Sequence, residues 1–291
     1  MKNQKILSWL SVALILVAFG LLIWLERRRP LRREVEPKLR RDMRNLAVAA
    51  VGAGALLVLE RPAIVSLAQF VEGHRWGLLK QVRLPPWLET ALAVVLLDYT
   101  LYVWHYLTHR VPFLWRFHLV HHIDLDLDAS TALRFHFGEL AISVPWRAAQ
   151  VILIGVSPIA YLVWQTFVFL SIMFHHSNVE LPLSLERWLN RLIVTPRMHG
   201  IHHSQVWREN NSNFGTVFTW WDRLHRTLGL NIPQSQIAIG IPGYSRNEDN
   251  RVGDALLMPF RKQRDYWRRA DGTAVERETA PAEKNPATLA E

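Results

Sequence analysis

The sequence contains no cysteine. That excludes a disulfide framework, a thiolate zinc site and an iron–sulfur cluster. Charge is also scarce: 20% of the 291 residues are Asp, Glu, Lys or Arg, where a soluble domain has about 25%. Half of the chain is hydrophobic and 13 residues are Trp. This composition excludes an intrinsically disordered chain and points to a membrane protein. The H-E-x-x-H pairing of zinc peptidases is missing, as is the Glu-x-x-His of carboxylate di-iron bundles. No flavin, nicotinamide or haem motif is legible, and no internal repeat of domain size.

The net charge of +9 invites a nucleic-acid reading, but its location argues against one. Residues 26–44 hold nine Lys/Arg and four Asp/Glu, so this one loop carries +5 of the +9. It lies between two apolar segments, as the positive-inside rule requires of a cytoplasmic loop. No nucleic-acid recognition module accompanies it.

Residues 6–25 carry no charge. At ~1.5 Å per residue they reach ~30 Å, one hydrocarbon thickness. The run is long, no A-x-A site follows it, and Glu26-Arg27-Arg28-Arg29 forms a stop-transfer flank, so a retained helix is expected rather than a signal peptide. A second run covers 46–59, is interrupted by Glu60-Arg61-Pro62, and resumes over 63–71. The interrupting charges are expected at the far interface, where they cost less than at the bilayer centre. A third run, 87–107, contains one acid, Asp98. A fourth, 140–174, has Ser157-Pro158 at its midpoint and reads as a helical hairpin, with Arg147 snorkelling or facing protein.

The expected fold is an all-α integral membrane protein. It has about four to five membrane helices or hairpin segments and a cytoplasmic helical cap holding a histidine-rich di-metal site. With 26–44 in the cytoplasm, span parity puts His105, His109, His136, His175, His176 and every later histidine on that same side. The N-terminus then lies outside, in the periplasm of a Gram-negative source, and the chain in the inner membrane. The divisions are 1–85, N-terminal helices with the basic loop; 86–230, the catalytic domain with its cap; 231–269, an extension; and 270–291, a disordered tail lacking aromatics and large apolar clusters.

Histidine is what the chain has in excess, 13 in all. Asp98, Tyr102, His105 and His109 are spaced four, three and four apart, along one helical face. His118, His121 and His122, and later His199, His202 and His203, each form an H-x-x-H-H box. On a helix that spacing turns three imidazoles to one side, toward one metal centre. His176 in FHHSN and His136 in RFHFGE are further candidates, and whether His175 joins them is open. His74 and His225 have no companions and read as ordinary hydrogen-bonded histidines. Burying so many imidazoles without partners is costly, and metal is their natural partner. About nine exceed the needs of one ion; two ions with four to five nitrogen ligands each fit the count. Imidazole suits zinc, copper, iron and nickel, so residue chemistry does not choose among them.

The segments DYTLYVWHYLTH, PFLWRFHLVHH, TALRFHFGE, FHHSNVELP, TPRMHGIHHS and NFGTVFTWWDRLHRT follow in the order and spacing of the fatty acid hydroxylase, or sterol desaturase, superfamily. The chain resembles that family, its bacterial members included, over roughly residues 86–230. The resemblance implies an integral membrane di-iron oxygenase that hydroxylates or desaturates a fatty acyl, sterol or other isoprenoid lipid. O2 is the co-substrate and an external donor supplies electrons. It implies His105, His109, His118, His121, His122, His176, His199, His202 and His203 as ligands of two iron ions. Asp98 and Tyr102 would orient His105 or its neighbours. His136, matching an Arg-x-His-Pro-x-Glu element through Arg134 and Glu139, would be a ligand, a group supporting one, or a loop lock. Asn178 and Asn213 would hold the cap loops. Tyr106, Phe137 and the ending Trp221-Asp222-Arg223-Leu224-His225-Arg226-Thr227 depart from the family's pattern, and none removes an expected ligand.

Two other classes use the same histidines. A membrane zinc hydrolase would activate metal-bound water. A metal transporter or sensor would carry its ligands along the spans near the midplane, whereas here they gather at one end. The oxygenase reading calls for a lipid substrate and a ferredoxin- or cytochrome-type partner, docked on the basic loop or the cap.

Overall fold

A computed structural model describes residues 2–277, and every regular element among them is helical. Five helical stretches are long and apolar enough to cross a membrane: Lys5–Arg28, Lys38–Gln81, Pro86–Arg110, Phe137–Ile154 and Pro158–His176. The first belongs to α1 (Lys2–Arg28), which leans on the bundle through one face. There Ser11 Oγ lies 2.6 Å from Thr166 Oγ1. Trp9, Leu10, Leu16 and Val17 stay exposed, a surface that only lipid solvates well.

Helix α2 (Lys38–Ala55) continues through a π turn, Leu56–Glu60, into α3 (Arg61–His74). The interruption expected at Glu60-Arg61-Pro62 is therefore no break. Pro62 cannot donate a backbone hydrogen bond, and the wide turn lets Arg61 N–H reach back to Leu56 O. Glu60 itself faces protein. It is 6% exposed inside the bundle and accepts a hydrogen bond from Tyr161 Oη at 2.7 Å.

Helix α4 (Pro86–Arg110) stops where Pro112 forces Val111 into an extended conformation, φ −93° and ψ 113°. Helix α5 (Pro112–His122) starts at once, so the last turn of α4 faces the whole of α5. The expected hairpin is α6 (Phe137–Ile154) and α7 (Pro158–His176). Ser157 Oγ caps α7 by accepting from Ala160 N at 3.2 Å, with Pro158 as its first residue. Gly155 ends α6 at φ +87° and meets Gly77, at φ +98°, backbone to backbone; a Cβ on Gly77 would lie 2.4 Å from Gly155 Cα.

Beyond α7 come five short helices: α8 (Leu183–Leu189), α9 (Pro196–His202), α10 (Trp207–Asn210), α11 (Trp220–Leu224) and α12 (Val252–Leu257). Two apolar cores result. One, including Val71, Leu97, Val151 and Trp164, fills the space among α3, α4, α6 and α7. The other joins Trp115 and Leu119 of α5, and Ile123 just after it, to Ile241, Tyr244, Ala255 and Met258, so the C-terminal extension is built into the cap.

The basic loop lies against the same end. Glu26 accepts from Ala129 N and Asn178 N, and Asn178 hydrogen-bonds both polar backbone groups of Arg32. Asp124, Asp126 and Asp128 receive it: Arg41, 1% exposed, pairs with Asp124 and Asp128, while Arg44 pairs with Glu36. Part of the loop's charge is thus neutralised internally, leaving Arg27, Arg28, Arg29, Arg33 and Arg40 exposed. The disordered tail expected from residue 270 is not seen over 270–277. Arg269 N donates to Thr273 O, and Arg277 pairs with Glu209 at 2.5 Å. Residues 278–291 lie outside the described residues.

Candidate metal centre

Four helices deliver imidazoles to one place: the C-terminal turns of α4 and α7, the face of α5, and α9. The nine histidines singled out from the sequence fall into two groups. His105, His109, His118, His122 and His202 form one; His121, His176, His199 and His203 form the other. Within each, the potential ligand atoms lie within 4.8 Å of one another. Each H-x-x-H-H box is split between the groups rather than serving one centre, contrary to the expectation of a single target. In α5 His118 and His122 go to the first and His121 to the second; in the α9 box His202 goes to the first, His199 and His203 to the second. The interleaving brings the groups side by side, with the rings of His122 and His203 stacked at 4.2 Å.

Hydrogen bonds fix which nitrogen faces inward. His105 Nδ1 donates to Phe214 O at 2.8 Å, His176 Nδ1 to Ile172 O at 2.7 Å and His202 Nδ1 to Ser212 O at 2.7 Å. A carbonyl can only accept, so Nδ1 carries the proton and Nε2 keeps its lone pair. His118 Nδ1 is held the same way by Glu139 Oε1 at 2.9 Å, and His122 Nδ1 lies 3.2 Å from the Asn210 amide. The Nε2 atoms converge: His176 Nε2 is 3.0 Å from those of both His121 and His199, and His118 Nε2 is 3.2 Å from that of His122. Buried His109 Nε2 and His202 Nε2 have no hydrogen-bond partner among the described residues. Burial first, then neighbouring imidazoles, holds His121, His122, His199, His202 and His203 well below the ordinary histidine pKa. They are neutral at pH 7, and each keeps one ring lone pair that a cation can take. That donor set fits two cations of borderline softness.

Three residues expected to act at the centre belong to neither group. Asp98 accepts from Val217 N, Phe218 N and Trp221 Nε1, the last at 2.7 Å. Tyr102 Oη lies 2.9 Å from Thr227 Oγ1, and its ring stacks on His225. Both share the helix with His105, but their side chains turn to the cap loop instead of to any of the nine grouped histidines. His136 caps α6, accepting from Gly138 N at 2.9 Å through Nδ1, and its Nε2 donates to Leu256 O at 3.0 Å. These two bonds tie the start of α6 to the Leu256 carbonyl. His175 is buried with its ring 4.1 Å from that of His199, outside both groups. Asn213, at φ +58°, ties Met198 O to Gly229. His74 stacks on Phe70 at the protein surface, and His225 packs on Tyr99. The carbonyls of Phe214 and Ser212 are not legible in the sequence, because a backbone acceptor has no signature there.

A cavity of about 360 Å³ opens beneath the histidines. His105, His118, His121, His176 and His199 line one end of it, and α2, α4, α6 and α7 form its walls. The size is that of a small-molecule site.

Comparison with known proteins places this architecture. Residues 90–227 match the fatty acid hydroxylase family model. An ornithine lipid hydroxylase of Rhizobium tropici is 33% identical over 159 residues, 53% of this chain and 46% of that protein. Mouse cholesterol 25-hydroxylase is 30% identical over 157 residues, 51% of this chain and 50% of that protein. Human alkylglycerol monooxygenase is 28% identical over 186 residues, 62% of this chain and 40% of that protein. The chain thus spans about half the length of the curated relatives it matches. No solved structure gives a significant match. Residues 90–227, which contain all nine grouped histidines, are a fatty acid hydroxylase domain.

Proposed function

We propose that the chain is a membrane di-iron oxygenase that hydroxylates a lipid. The observation that carries this reading is the pair of all-imidazole groups, four and five histidines, at the head of a largely apolar cavity between candidate membrane helices. His105, His109, His118, His122 and His202 would hold one ion; His121, His176, His199 and His203 would hold the other. Bound iron supplies the chemistry that side chains lack: activation of O2 with electrons from an external donor, and insertion of one oxygen atom into a C–H bond.

The protein's own part is positional. Phe214 O, Ile172 O, Ser212 O and Glu139 hold four imidazoles in one tautomer and orientation. Apolar walls align a hydrocarbon beneath the histidines and exclude water. Asp98 and Tyr102 fasten the cap that closes the site. The exposed arginines of the basic loop offer an acidic electron-transfer protein a docking face on the histidine side. That side is cytoplasmic by the positive-inside rule.

The test is anaerobic reconstitution of the full chain with ferrous iron in native lipid, then O2 and an electron donor, followed by lipid mass analysis. Gain of one oxygen atom by a lipid, with two irons per chain, is the expected result. Loss of two hydrogens would make the enzyme a desaturase, and turnover with zinc and no O2 uptake would make it a hydrolase.

A further inference from the structure

The cavity has a second polar end. Along α7 its lining residues are Tyr161, Trp164, Gln165, Val168, Phe169, Ile172, His175 and His176, one continuous stripe at helical spacing. From Tyr161 to His176 that stripe runs about 22 Å, fifteen residues at ~1.5 Å each. The middle is apolar, walled by Leu56, Leu101, Leu140, Val168 and Phe169. At the end away from the histidines, Glu60, Arg147 and Tyr161 line the same space.

The far end has the features of a binding site. Glu60 and Arg147 carry opposite charges and face one cavity, yet among the described residues no salt bridge joins them. Tyr161 Oη donates to Glu60 Oε1 at 2.7 Å, holding the carboxylate in place. The Arg147 guanidinium lies over the Trp164 ring, 4.6 Å from its centroid, and Nη1 reaches Gln150 Oε1 at 3.4 Å. Gln150 is held in turn by Thr100 Oγ1 at 2.5 Å. Arg147 Nε and Trp164 Nε1 are buried with no hydrogen-bond partner among the described residues, and Trp164 is 2% exposed. Charged groups within a membrane span are costly and tend to mark a functional path. Unpaired buried donors add to that cost, unless a ligand satisfies them.

We propose that Glu60, Arg147, Tyr161 and Trp164 form a subsite for the hydroxyl group of a neutral amphiphilic lipid, deepening the lipid-oxygenase reading on which it rests. A hydroxyl both donates and accepts, so it can donate to the Glu60 carboxylate while accepting from Arg147 or Trp164. The two charges already balance; an ionised head group would bring an uncompensated charge into the span, and a bare hydrocarbon would leave the donors unpaired. With the hydroxyl anchored there, the lipid's opposite end is the part that reaches the histidines. The subsite acts as a ruler: oxidation falls on carbons far from the lipid's own hydroxyl.

The test measures binding before turnover. The full-length, metal-loaded chain in nanodiscs is titrated with radiolabelled hexadecanol, palmitate and hexadecane. Hexadecanol should bind about tenfold more tightly than either of the others, the effect of one charge-assisted hydrogen bond. Glu60→Gln, Arg147→Gln and Tyr161→Phe should each erase most of that preference while leaving metal per chain unchanged, because the substitutions lie at the opposite end of the cavity. If a charge substitution prevents folding, judged by gel filtration, Tyr161→Phe decides alone, since it removes only a hydroxyl. Equal binding of hexadecane and hexadecanol would overturn the proposal, as would tightest binding of palmitate or a preference that survives Tyr161→Phe. Binding is read without catalysis, so an inactive enzyme that still selects the alcohol would refute the oxygenase reading and not this one. An active enzyme without the preference would refute this one alone.

Discussion

At the scale of single residues, the histidines were the legible part. An imidazole at i, i+3 and i+4 carries its chemistry and its helical geometry in the sequence, and the structure brings all nine together. Asp98 and Tyr102 show where such reasoning ends. Spacing puts them on the His105 face of α4, but it cannot say that the cap loop, more than a hundred residues later, supplies their partners. The histidine pattern still gives a sharp contrast. His202 Nε2 is buried without a partner, while its Nδ1 is held by Ser212 O at 2.7 Å. His74 is exposed and stacked on Phe70. We expect His202→Ala to lower metal affinity by more than the ~100-fold that loss of a supporting group can cause, and to abolish product formation. His74→Ala should change neither. Metal per purified chain, by mass spectrometry, checks both variants. A His202→Ala protein that keeps two metals but not turnover would remove His202 from the ligand set.

At the scale of elements, punctuation decided what was readable. Ser157-Pro158 announces the start of α7, and Pro112 the break after α4, because a cap and a missing N–H act locally. Glu60-Arg61-Pro62 looks like similar punctuation but is absorbed by one π turn, and the buried Tyr161 hydroxyl that holds Glu60 is distant in sequence. The union of membrane bundle and cap was likewise hidden. It runs through Asp98, a fully buried carboxylate that accepts two backbone N–H groups and the Trp221 indole. Removing that acceptor strands three donors, each worth about 1–3 kcal/mol when left unpaired in a buried place. Asp98→Ala is therefore expected to destabilise the cap by several kcal/mol. Thermal unfolding in detergent should begin lower by several degrees, with metal lost as the cap loosens. An unchanged melting profile would mean that the cap docks through apolar contacts alone.

At the scale of the whole molecule, two independent features agree that the histidines share one end with the basic loop. Span parity puts the ends of α4 and α7 on the side of the 26–44 loop, and the structure packs that loop against the histidine end through Glu26, Asn178 and the Asp124–Asp128 stretch. Internal pairing takes up Arg41 and Arg44, but Arg27, Arg28, Arg29, Arg33 and Arg40 remain exposed, the surplus from which the positive-inside rule predicts a cytoplasmic loop. The fold also dictates how to test this. A reporter fused after residue 230 would strip Ile241, Tyr244, Ala255 and Met258 from the core around α5, and would report on a damaged cap. Fusion at the C-terminal residue leaves that core whole. A reporter there should behave as cytoplasmic, and one at the N-terminus as external, because α1 crosses once before the basic loop. A C-terminal reporter active only outside the cell would invert the topology. It would also move the site to the side where neither a cytoplasmic electron donor nor the basic loop's docking face could serve it.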